Sequence, residues 1–381
     1  MHPHAIYLDH AASTPLRPEV RDAMLPLLVE RFGNPSSAHA WGRASRAALD
    51  EARARFAAVI GAAPAEIVFT RGGTEADNLA VLGRAKATPG APVACSAVEH
   101  KAVLATAHAA EAEGHALHVV PVDANATVCL NALDEALAAR PAIVSVMWAN
   151  NEVGAVQPVA EIAARCRAAG VVFHSDAVQA LGKLRVRVDE VPADLLSFTA
   201  HKLGGPRGAG ALYVRRGTEL APLVHGGGHE RGLRAGTEDV ASAMGLAVAA
   251  ELAEAERERE MARLRGLRDR LQAGLCERIS GLVVNAAGAD RLPTLLSVSV
   301  PGADGELLLA ALDLEGIGVS AGSACSSGAL GRSHVLTAMG LREDSGPAVR
   351  FSLGRTTTAE EIDRALEVFP DVVMRVRVGV A

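Results

Sequence analysis

Aromatic residues, cysteines and long apolar runs are scarce in this chain of 381 residues. Only 3% of the residues are aromatic, so Ala, Val and Leu must build most of the core. No apolar run of about 18 residues lacks charge, which argues against a membrane span. The five cysteines form no CxxC pair and have no metal-ligand spacing, so we expect no disulfide framework and no metal site. Scattered thiols of this kind are typical of a cytoplasmic protein.

An excess of basic charge is also missing. The 38 Lys and Arg residues face 44 acidic ones, a net charge of -6, which argues against a general nucleic-acid-binding surface. The start of the chain has no basic region followed by an apolar stretch, so no signal peptide is expected. Hydrophobic residues make up 49% and charged residues 22%, as in folded globular proteins. The length suggests two to three domains.

Short apolar runs alternate with Ala-rich helical stretches through the first two thirds of the chain. The runs are nearly continuous, which is typical of strands in a parallel sheet covered on both faces. The predicted strands are 67–70, 92–95, 117–122, 143–147, 171–175, 195–198 and 211–214. Strand-helix alternation predicts a mostly parallel, doubly wound α/β sheet. From residue 239 the sequence pattern changes. It predicts one long charged helix, 239–280, followed by the shorter elements of a smaller α/β domain.

Two residues have the surroundings of nucleophiles. Lys202 follows the buried-looking strand LLSFT and precedes two glycines. Desolvation there would lower its pKa and favour Schiff-base chemistry, whereas the alternative is an exposed loop lysine. Cys325 lies in a stretch of Ser, Ala and Gly at 320–328, so we expect an exposed thiol. Exposed thiols are rare unless they are used.

Two further groups follow predicted strands. Gly73 and Thr74 lie between a strand and a helix, where backbone N–H groups bind phosphate; an ordinary helix cap is the alternative. Asp176 follows the strand VVFHS, and Gln179 comes three residues later. Carboxyl ends of parallel strands are where such folds bind ligands, although Asp176 would also suit a helix N-cap.

A histidine and an arginine complete the candidates. His100 follows another strand end and suits ring stacking or proton transfer, although a lone histidine is more often structural. Arg355 follows the last predicted strand and suits a carboxylate ligand, with a surface arginine as the alternative.

These pieces occur together and in one order, and the combination is more specific than any one of them. The chain resembles the NifS/IscS-type cysteine desulfurases, which belong to the class V aminotransferase group of pyridoxal-phosphate (PLP) enzymes. The matching stretches are YLDHAAST at 7, FGNPSSAHAWGR at 32, EIVFTRGGTEADN at 66, VEHKAV at 98, ANNEVGAVQP at 149, HSDAVQALGK at 174, SFTAHKLGGPRGAGALYVRR at 197, HGGGHERGLRAGTE at 225, SAGSACSSGAL at 320 and VRFSLGRTTTAEEID at 349.

The resemblance implies the fold type I of PLP-dependent transferases, like aspartate aminotransferase. We expect a large PLP-binding domain at 13–250. A small domain would comprise 1–12 and 251–381 and would carry the cysteine loop at about 320–332. The resemblance also implies a homodimer.

Cofactor roles follow from the same resemblance. It implies that Lys202 forms a Schiff base with PLP, that Asp176 pairs with the pyridine nitrogen and that His100 stacks on the ring and moves protons. Gln179 and Asn151 would contact the ring hydroxyl side. The residues expected at the phosphate are Gly73, Thr74, Thr199, His201 and, from the other subunit, Thr237.

Substrate roles are implied in the same way. Arg355, with Asn151, would hold the carboxylate of L-cysteine. Cys325 would take the sulfur as a persulfide, alanine would leave, and sulfur-acceptor or scaffold proteins would receive the sulfur for iron-sulfur clusters, thio-cofactors or tRNA thiolation. Cys325 could also ligate an iron-sulfur cluster transiently. The stretch SAGSAC matches the long-loop branch of the family.

Three positions depart from the family pattern, and two other readings of the chain stay open. His10 stands where Asn is common, Arg71 where Ser is common, and Thr199 where Ser is common. A different PLP enzyme, such as an aminotransferase, would share Lys202 and Asp176 without needing the cysteine. A relative that only binds partners would need none of these residues.

Overall fold

A computed structural model describes residues 5–321 and 333–377, which fold into strands and helices in alternation. The strands are β1 (Ile6–Tyr7), β2 (Ile67–Thr70), β3 (Val93–Ser96), β4 (Leu117–Val120), β5 (Ile143–Ser145), β6 (Val172–Asp176), β7 (Leu195–Thr199), β8 (Gly210–Val214), β9 (Val283–Val284), β10 (Leu295–Ser299), β11 (Ile317–Gly318), β12 (Ser320–Ala321) and β13 (Ala348–Ser352). The helices are α1 (Pro18–Val29), α2 (Ala40–Ile60), α3 (Gly73–Ala87), α4 (Lys101–Ala112), α5 (Leu130–Ala138), α6 (Val159–Ala169), α7 (Val240–Arg278), α8 (Gly305–Leu314), α9 (His334–Ala338) and α10 (Ala359–Val376).

The main sheet has seven strands in the order β2-β8-β7-β6-β5-β3-β4. Strands β3 to β7 pair in parallel, whereas β8 lies antiparallel between β2 and β7. The prediction of a mostly parallel α/β sheet is therefore confirmed, and all seven expected strands belong to it.

Apolar cores cover both faces of this sheet, which explains the continuous hydrophobic runs. Successive side chains of a strand point to opposite faces. In β7, Leu196 packs into the core formed with α2, α6 and α7, whereas its neighbour Leu195 packs into the core beneath α3 and α4. Both leucines are fully buried.

Helix α7 links the large sheet to the rest of the chain. It runs for 39 residues, about 58 Å at 1.5 Å per residue, and begins at the N-cap Asp239, whose side chain accepts from Ser242 N. Its first half packs against α1 and α2, whereas Leu264, Leu271 and Leu275 enter a second core. The predicted long helix at 239–280 is thus present almost to the residue.

The second core belongs to the smaller sheet. Strands β12, β13, β10 and β9 form this sheet in antiparallel pairs, and α10 packs beside them. Ile6 and Leu8, from the start of the chain, join the same core because β1 pairs in parallel with β11. The domain boundaries 13–250 and 251–381 stay a prediction. The expected cysteine loop, about 320–332, lies outside the described residues from 322 onward.

No helix in the described ranges 5–321 and 333–377 is long and apolar enough to cross a membrane.

Candidate active site

Two of the predicted site residues lie at the carboxyl ends of neighbouring parallel strands. Asp176 ends β6, and Lys202 lies in a short 3-10 turn, Ala200–Lys202, directly after β7. The amine of Lys202 donates to the carbonyl oxygens of Ala11 at 2.5 Å and Ala12 at 2.6 Å. This edge of the sheet is where open α/β folds bind their ligands.

The Asp176 carboxyl is buried, and the charges of its neighbours oppose the effect of burial on its pKa. Only 5% of the residue is exposed, and burial raises its pKa, while the charges of His100 and Lys202 act to lower it. One carboxylate oxygen accepts from the backbone N–H of Val178 at 2.8 Å. His100 and Lys202, both named from the sequence, therefore lie close enough to act on Asp176.

A second buried carboxyl, Asp77 of α3, lies beside Asp176 and was missed from the sequence. Burial and the Asp176 charge raise its pKa well above the usual range, and a hydrogen bond from Ser197 opposes the shift. The neighbouring His174 is fully buried and hydrogen-bonds Ser145 and Ser197, and burial lowers its pKa to about 3. Burial and the Asp176 charge thus disfavour the charged form of Asp77, whereas the charges of His100 and Lys202 favour the charged form of Asp176.

His100 caps helix α4 with one ring nitrogen. Nδ1 accepts from the backbone N–H of Ala102 at 3.1 Å, so the ring proton is assigned to Nε2. Its neighbour Glu99 is fully buried and accepts from Ser96 and from the backbone N–H of Met147. Burial raises the pKa of Glu99 to about 8, so this acid is mostly neutral at pH 7.

A pocket of about 360 Å³ lies where β2 turns into α3. Gly72, with a φ of 136°, makes this turn, and its backbone lies so close to Gly210 that a Cβ on Gly210 would come within 2.6 Å of it. The next two residues, Gly73 and Thr74, bring the unpaired N–H groups of the first turn of α3 to the pocket.

The far wall of the same pocket comes from the strand end that carries Lys202. Thr199, at the end of β7, and His201 line it. The Thr199 hydroxyl donates to the carbonyl oxygen of Ala209 at 3.1 Å. Burial, together with the Lys202 charge, lowers the pKa of His201 to about 4, so its ring is neutral. All four phosphate residues expected within one subunit, Gly73, Thr74, Thr199 and His201, therefore line one pocket.

Gln179 belongs to a hydrogen-bonded row that ends at Lys202. Its amide nitrogen donates to the carbonyl oxygen of Ala11 at 3.0 Å, and its amide oxygen accepts from the amine of Lys183 at 2.6 Å. The same Ala11 oxygen accepts from Lys202. Burial and the Lys202 charge lower the pKa of Lys183 to about 7. The row fixes the Gln179 amide with its oxygen towards Lys183.

The structure offers two arginines near the expected substrate site. Arg355 is exposed and shares a pocket wall with Lys202. Arg350, missed from the sequence, is only 2% exposed and lies on β13. It pairs with Asp9 at 2.6 Å and donates to the carbonyl oxygen of Asn151 at 2.8 Å, while its Nε has no hydrogen-bond partner among the described residues.

Two predicted site residues are not found beside Lys202 in the described part of the chain. Thr237 is exposed. It does not line the pocket formed by Gly73, Thr74, Thr199 and His201 in its own chain, which we call the phosphate-type pocket. Cys325 lies outside the described residues. The other cysteines, at 95, 129, 166 and 276, are free thiols.

The comparison with protein families decides the classification. A model of the aminotransferase class-V family matches residues 6–365. The chain belongs to the class V aminotransferases. Among curated relatives, the cysteine desulfurase IscS of Dictyoglomus turgidum is 45% identical over 375 residues, 98% of this chain and 95% of that protein. A cysteine desulfurase of Gluconacetobacter diazotrophicus is 45% identical over 377 residues, 98% of this chain and 94% of that protein.

Solved structures of the class V aminotransferases agree with this family. A NifS-like protein matches with a TM-score of 0.91 and 34% identity over 98% of this chain and all of that one. A structure described as SspA in complex with cysteine matches with a TM-score of 0.78 and 34% identity over 91% of this chain and 98% of that one. The sequence-based expectation of a PLP-dependent cysteine desulfurase of fold type I is confirmed.

The residues present fit the cofactor of this class V family. PLP requires an amine for covalent attachment, an anion for its ring nitrogen and a phosphate pocket. Lys202 supplies the amine, buried Asp176 supplies the anion, and the turn of Gly72 at the start of α3 supplies unpaired N–H groups. No cluster suited to a metal ion occurs among the described residues.

Proposed function

We propose that this chain converts L-cysteine to L-alanine and retains the sulfur as a persulfide on Cys325. The observation that carries the proposal is the meeting of three groups at one sheet edge. Lys202 and Asp176 end adjacent strands, and the charge of His100 acts on the same Asp176 carboxylate. Cys325 is the group that separates this reaction from transamination.

Lys202 and His100 handle protons in this proposal. Bound PLP supplies an electron sink for the substrate's α-carbon. Lys202 Nζ, which two backbone carbonyls hold at the strand end, would take the α-proton of the substrate. His100 exchanges a proton through Nε2, since its Nδ1 is occupied by the backbone N–H of Ala102. Asp176 balances the positive charge that gathers between these two residues.

The sulfur step needs no external oxidant. The Cys325 thiolate attacks the substrate sulfur, so an S–S bond forms and the C–S bond breaks. The electron pair of the broken bond stays with the three-carbon product, which takes up protons and leaves as alanine. Cysteine and the enzyme thiol thus give alanine and an enzyme persulfide.

The remaining cofactor contacts follow from the lining of the site. We assign the phosphate to Gly73, Thr74, Thr199 and His201, because these residues line one pocket beside Lys202. Gln179 and Asn151 are assigned to the ring side, and Thr237 to the phosphate of the partner subunit.

For the substrate carboxylate, the sequence names Arg355 and the geometry favours Arg350. Arg350 touches Asn151, which the sequence also places at the substrate, and it is buried in an ion pair with Asp9. A desolvated guanidinium binds a carboxylate more strongly than an exposed one does.

A homodimer has support in one exposed apolar patch. Five large apolar residues of α1, the following turn and the start of α2 are each more than half exposed: Leu25, Leu28, Val29, Phe32 and Trp41. Patches of this kind on a folded chain mark interaction sites. We infer that a second copy covers this patch.

Sulfur acceptors and compartment complete the proposal. A persulfide must be passed to a nucleophile on another protein, so we propose scaffold or carrier proteins of iron-sulfur cluster assembly, tRNA thiolation or thio-cofactor synthesis as acceptors. The described cysteines are all unpaired thiols, which supports a reducing compartment such as the cytoplasm.

The test measures sulfide and alanine together from purified holoenzyme with L-cysteine and a reductant. We expect equal amounts from wild type, and loss of both from Cys325→Ala with the visible absorbance of bound PLP unchanged. Cys276→Ala, which removes another exposed thiol, is the matched control and should keep full activity. Alanine without sulfide, or sulfide production that survives in Cys325→Ala, would contradict the role of Cys325.

A wild-type protein that binds PLP yet releases no sulfide would refute the desulfurase reaction itself. Transfer of an amino group to keto acids would then identify the protein as an aminotransferase.

A further inference from the structure

Arg71 stands at the mouth of the phosphate-type pocket, and nothing in the roles assigned above uses it. It links the last residue of β2 to Gly72 and lines the pocket together with Thr74, Thr199 and Arg207. The tip of its guanidinium, NH2, would lie 3.9 Å from a Cβ placed on Gly208, another residue of the pocket wall. Gly208 also lines a second, smaller pocket with Arg71 and Asp239, so the guanidinium lies at the border of the two pockets.

The residues assigned so far to the phosphate, Gly73, Thr74, Thr199 and His201, supply no fixed positive charge. A phosphate monoester carries a charge of about −1.5 to −2 at pH 7. His201 is neutral, because burial and the Lys202 charge depress its pKa. Arg71 and Arg207 are the two arginines among the residues that line the pocket.

One acidic residue beside Arg71 is already engaged by other donors. Glu75, in the first turn of α3, accepts from the guanidinium of Arg234 at 2.8 Å and from the backbone N–H of Arg71 at 2.6 Å. These two donors hold its carboxylate, which leaves the Arg71 guanidinium to another partner.

That partner is Asp239, and the pair is open to exchange. Arg71 NH1 lies 2.6 Å from Asp239 Oδ2, and the two side chains are 55% and 38% exposed. Exposed ion pairs are weak, whereas a guanidinium binds phosphate with two parallel, charge-assisted hydrogen bonds. Asp239 loses little when Arg71 leaves, because its other contacts, Ser242 N and Ser242 Oγ, remain.

We propose that Arg71 is a binding residue for the cofactor phosphate, and that its guanidinium exchanges Asp239 for the phosphate when PLP enters the pocket. The inference rests on the proposed function, since it takes this pocket as the phosphate site. It adds a charged ligand to the N–H groups, hydroxyls and neutral imidazole assigned to the phosphate above, in a pocket that Arg207 also lines. Asp239 then acts as the resting partner that keeps the side chain at the pocket.

A merely structural role for Arg71 makes a different prediction. The Arg71–Asp239 pair also joins the β2–α3 turn to the N-cap of α7. Loss of such a link would loosen the turn, and it would weaken every ligand that is bound through Lys202 to a similar extent. A phosphate contact weakens only ligands that carry the phosphate.

The experiment reloads resolved enzyme with PLP or with pyridoxal, which lacks the phosphate, and follows the visible absorbance of the Lys202 adduct. We expect Arg71→Met to weaken PLP binding about tenfold and to leave pyridoxal binding within about twofold of wild type. Arg71→Lys keeps the charge and should recover part of the loss. Asp239→Asn keeps an N-cap oxygen, removes the competing charge and should bind PLP at least as tightly as wild type.

Two controls make the result specific. Arg259→Met removes an exposed arginine of α7 and should change neither ligand. Raising the ionic strength should narrow the gap between wild type and Arg71→Met for PLP, because exposed charges are screened. An equal loss for both aldehydes in Arg71→Met, or no loss for either, would overturn the inference. Absence of any Lys202-dependent absorbance in wild type would instead refute the proposed function.

Discussion

Arg350 is the residue whose surroundings differ most from what its sequence context suggests. It lies within the apolar strand β13, yet its guanidinium is buried between Asp9 and the backbone of Asn151. The charge of Arg350 also helps to lower the pKa of Lys183. Its position makes it a stronger candidate for the substrate carboxylate than the exposed Arg355.

The two arginines can be separated kinetically. We expect Arg350→Lys to raise the KM for L-cysteine by about tenfold or more, because a lysine cannot reproduce the bidentate contact with a carboxylate. Arg355→Met should change KM by less than about twofold, since an exposed guanidinium contributes little to binding. Steady-state alanine release as a function of L-cysteine concentration measures both values.

Thermal unfolding of each arginine variant is the control, since Asp9 loses its ion pair when Arg350 is shortened. A rise in KM confined to Arg355→Met, with the PLP spectrum unchanged, would restore Arg355 as the carboxylate ligand.

The sequence predicts candidate site residues that follow strands but does not predict the buried polar residues inside elements. Lys202 and Asp176 are predicted because a polar residue after an apolar run marks a strand end. Asp77 was missed because TEADN suits the exposed first turns of a helix, although the structure buries this residue beside Asp176. Whether a charged side chain is buried depends on which element packs over it, and the local spacing of residues does not predict that packing.

At the scale of elements, the buried ion pair between Arg53 and Glu230 holds the turn that precedes Thr237 against α2. Glu230 lies in a short 3-10 turn, His229–Gly232, and has a positive φ of 47°, as does its neighbour Arg231 at 59°. The Glu230 carboxylate pairs with Arg53 of α2 through two contacts of 2.7 Å and accepts from the backbone N–H of Phe69. These contacts hold the strained turn against α2 and β2.

Breaking this pair should be costly. We expect Glu230→Gln to lower the free energy of unfolding by about 3–5 kcal/mol, because Arg53 is left as a buried charge without its partner. Chemical denaturation measures the loss. The double variant Arg53→Met with Glu230→Leu removes both charges and should recover part of it. A double variant that is as unstable as the sum of both single variants would contradict this account.

The strands themselves were predictable to within about two residues, whereas their order was not. Continuous apolar runs mark a buried strand wherever it lies, so 67–70 and 195–198 closely match β2 and β7. The placement of β8 between them brings together strands that lie far apart along the chain. Sheet order depends on packing between distant segments, and a local pattern does not contain it.

At the scale of the whole molecule, the exposed apolar patch and the role proposed for Thr237 both concern the proposed homodimer. Thr237 is exposed and lies off the phosphate-type pocket of its own chain. One face of α1 and the residues after it expose large apolar side chains to solvent, namely Leu25, Leu28, Val29, Phe32 and Trp41. A second copy on this face would cover the patch, and the role proposed for Thr237 requires a second copy.

Mixed dimers test whether Thr237 acts across the interface. We expect homodimers of Lys202→Ala and of Thr237→Ala to be poor desulfurases, whereas a mixed dimer regains activity. In the mixed dimer, one site combines the intact Lys202 of the Thr237→Ala chain with the intact Thr237 of the Lys202→Ala chain. Sulfide release after co-expression and separation by tags measures the gain.

No regain in the mixed dimer would place Thr237 in its own subunit's site. Phe32→Asp is the companion variant, since a charge on the exposed patch should shift the protein to monomers in sedimentation velocity. A dimer that persists in this variant would mean that another surface holds the two copies together.

Helix α7 gives the molecule a property that neither core has alone. Its first half fills the core under the large sheet and its second half fills the core of the small one, within one unbroken run of 39 residues. If either core melted, the apolar side chains of half of this helix would lose their packing partners. That half would then unwind, and the helical turns at its border with the other half would lose stability. The two cores should therefore melt together as one cooperative unit, with a single heat-absorption peak.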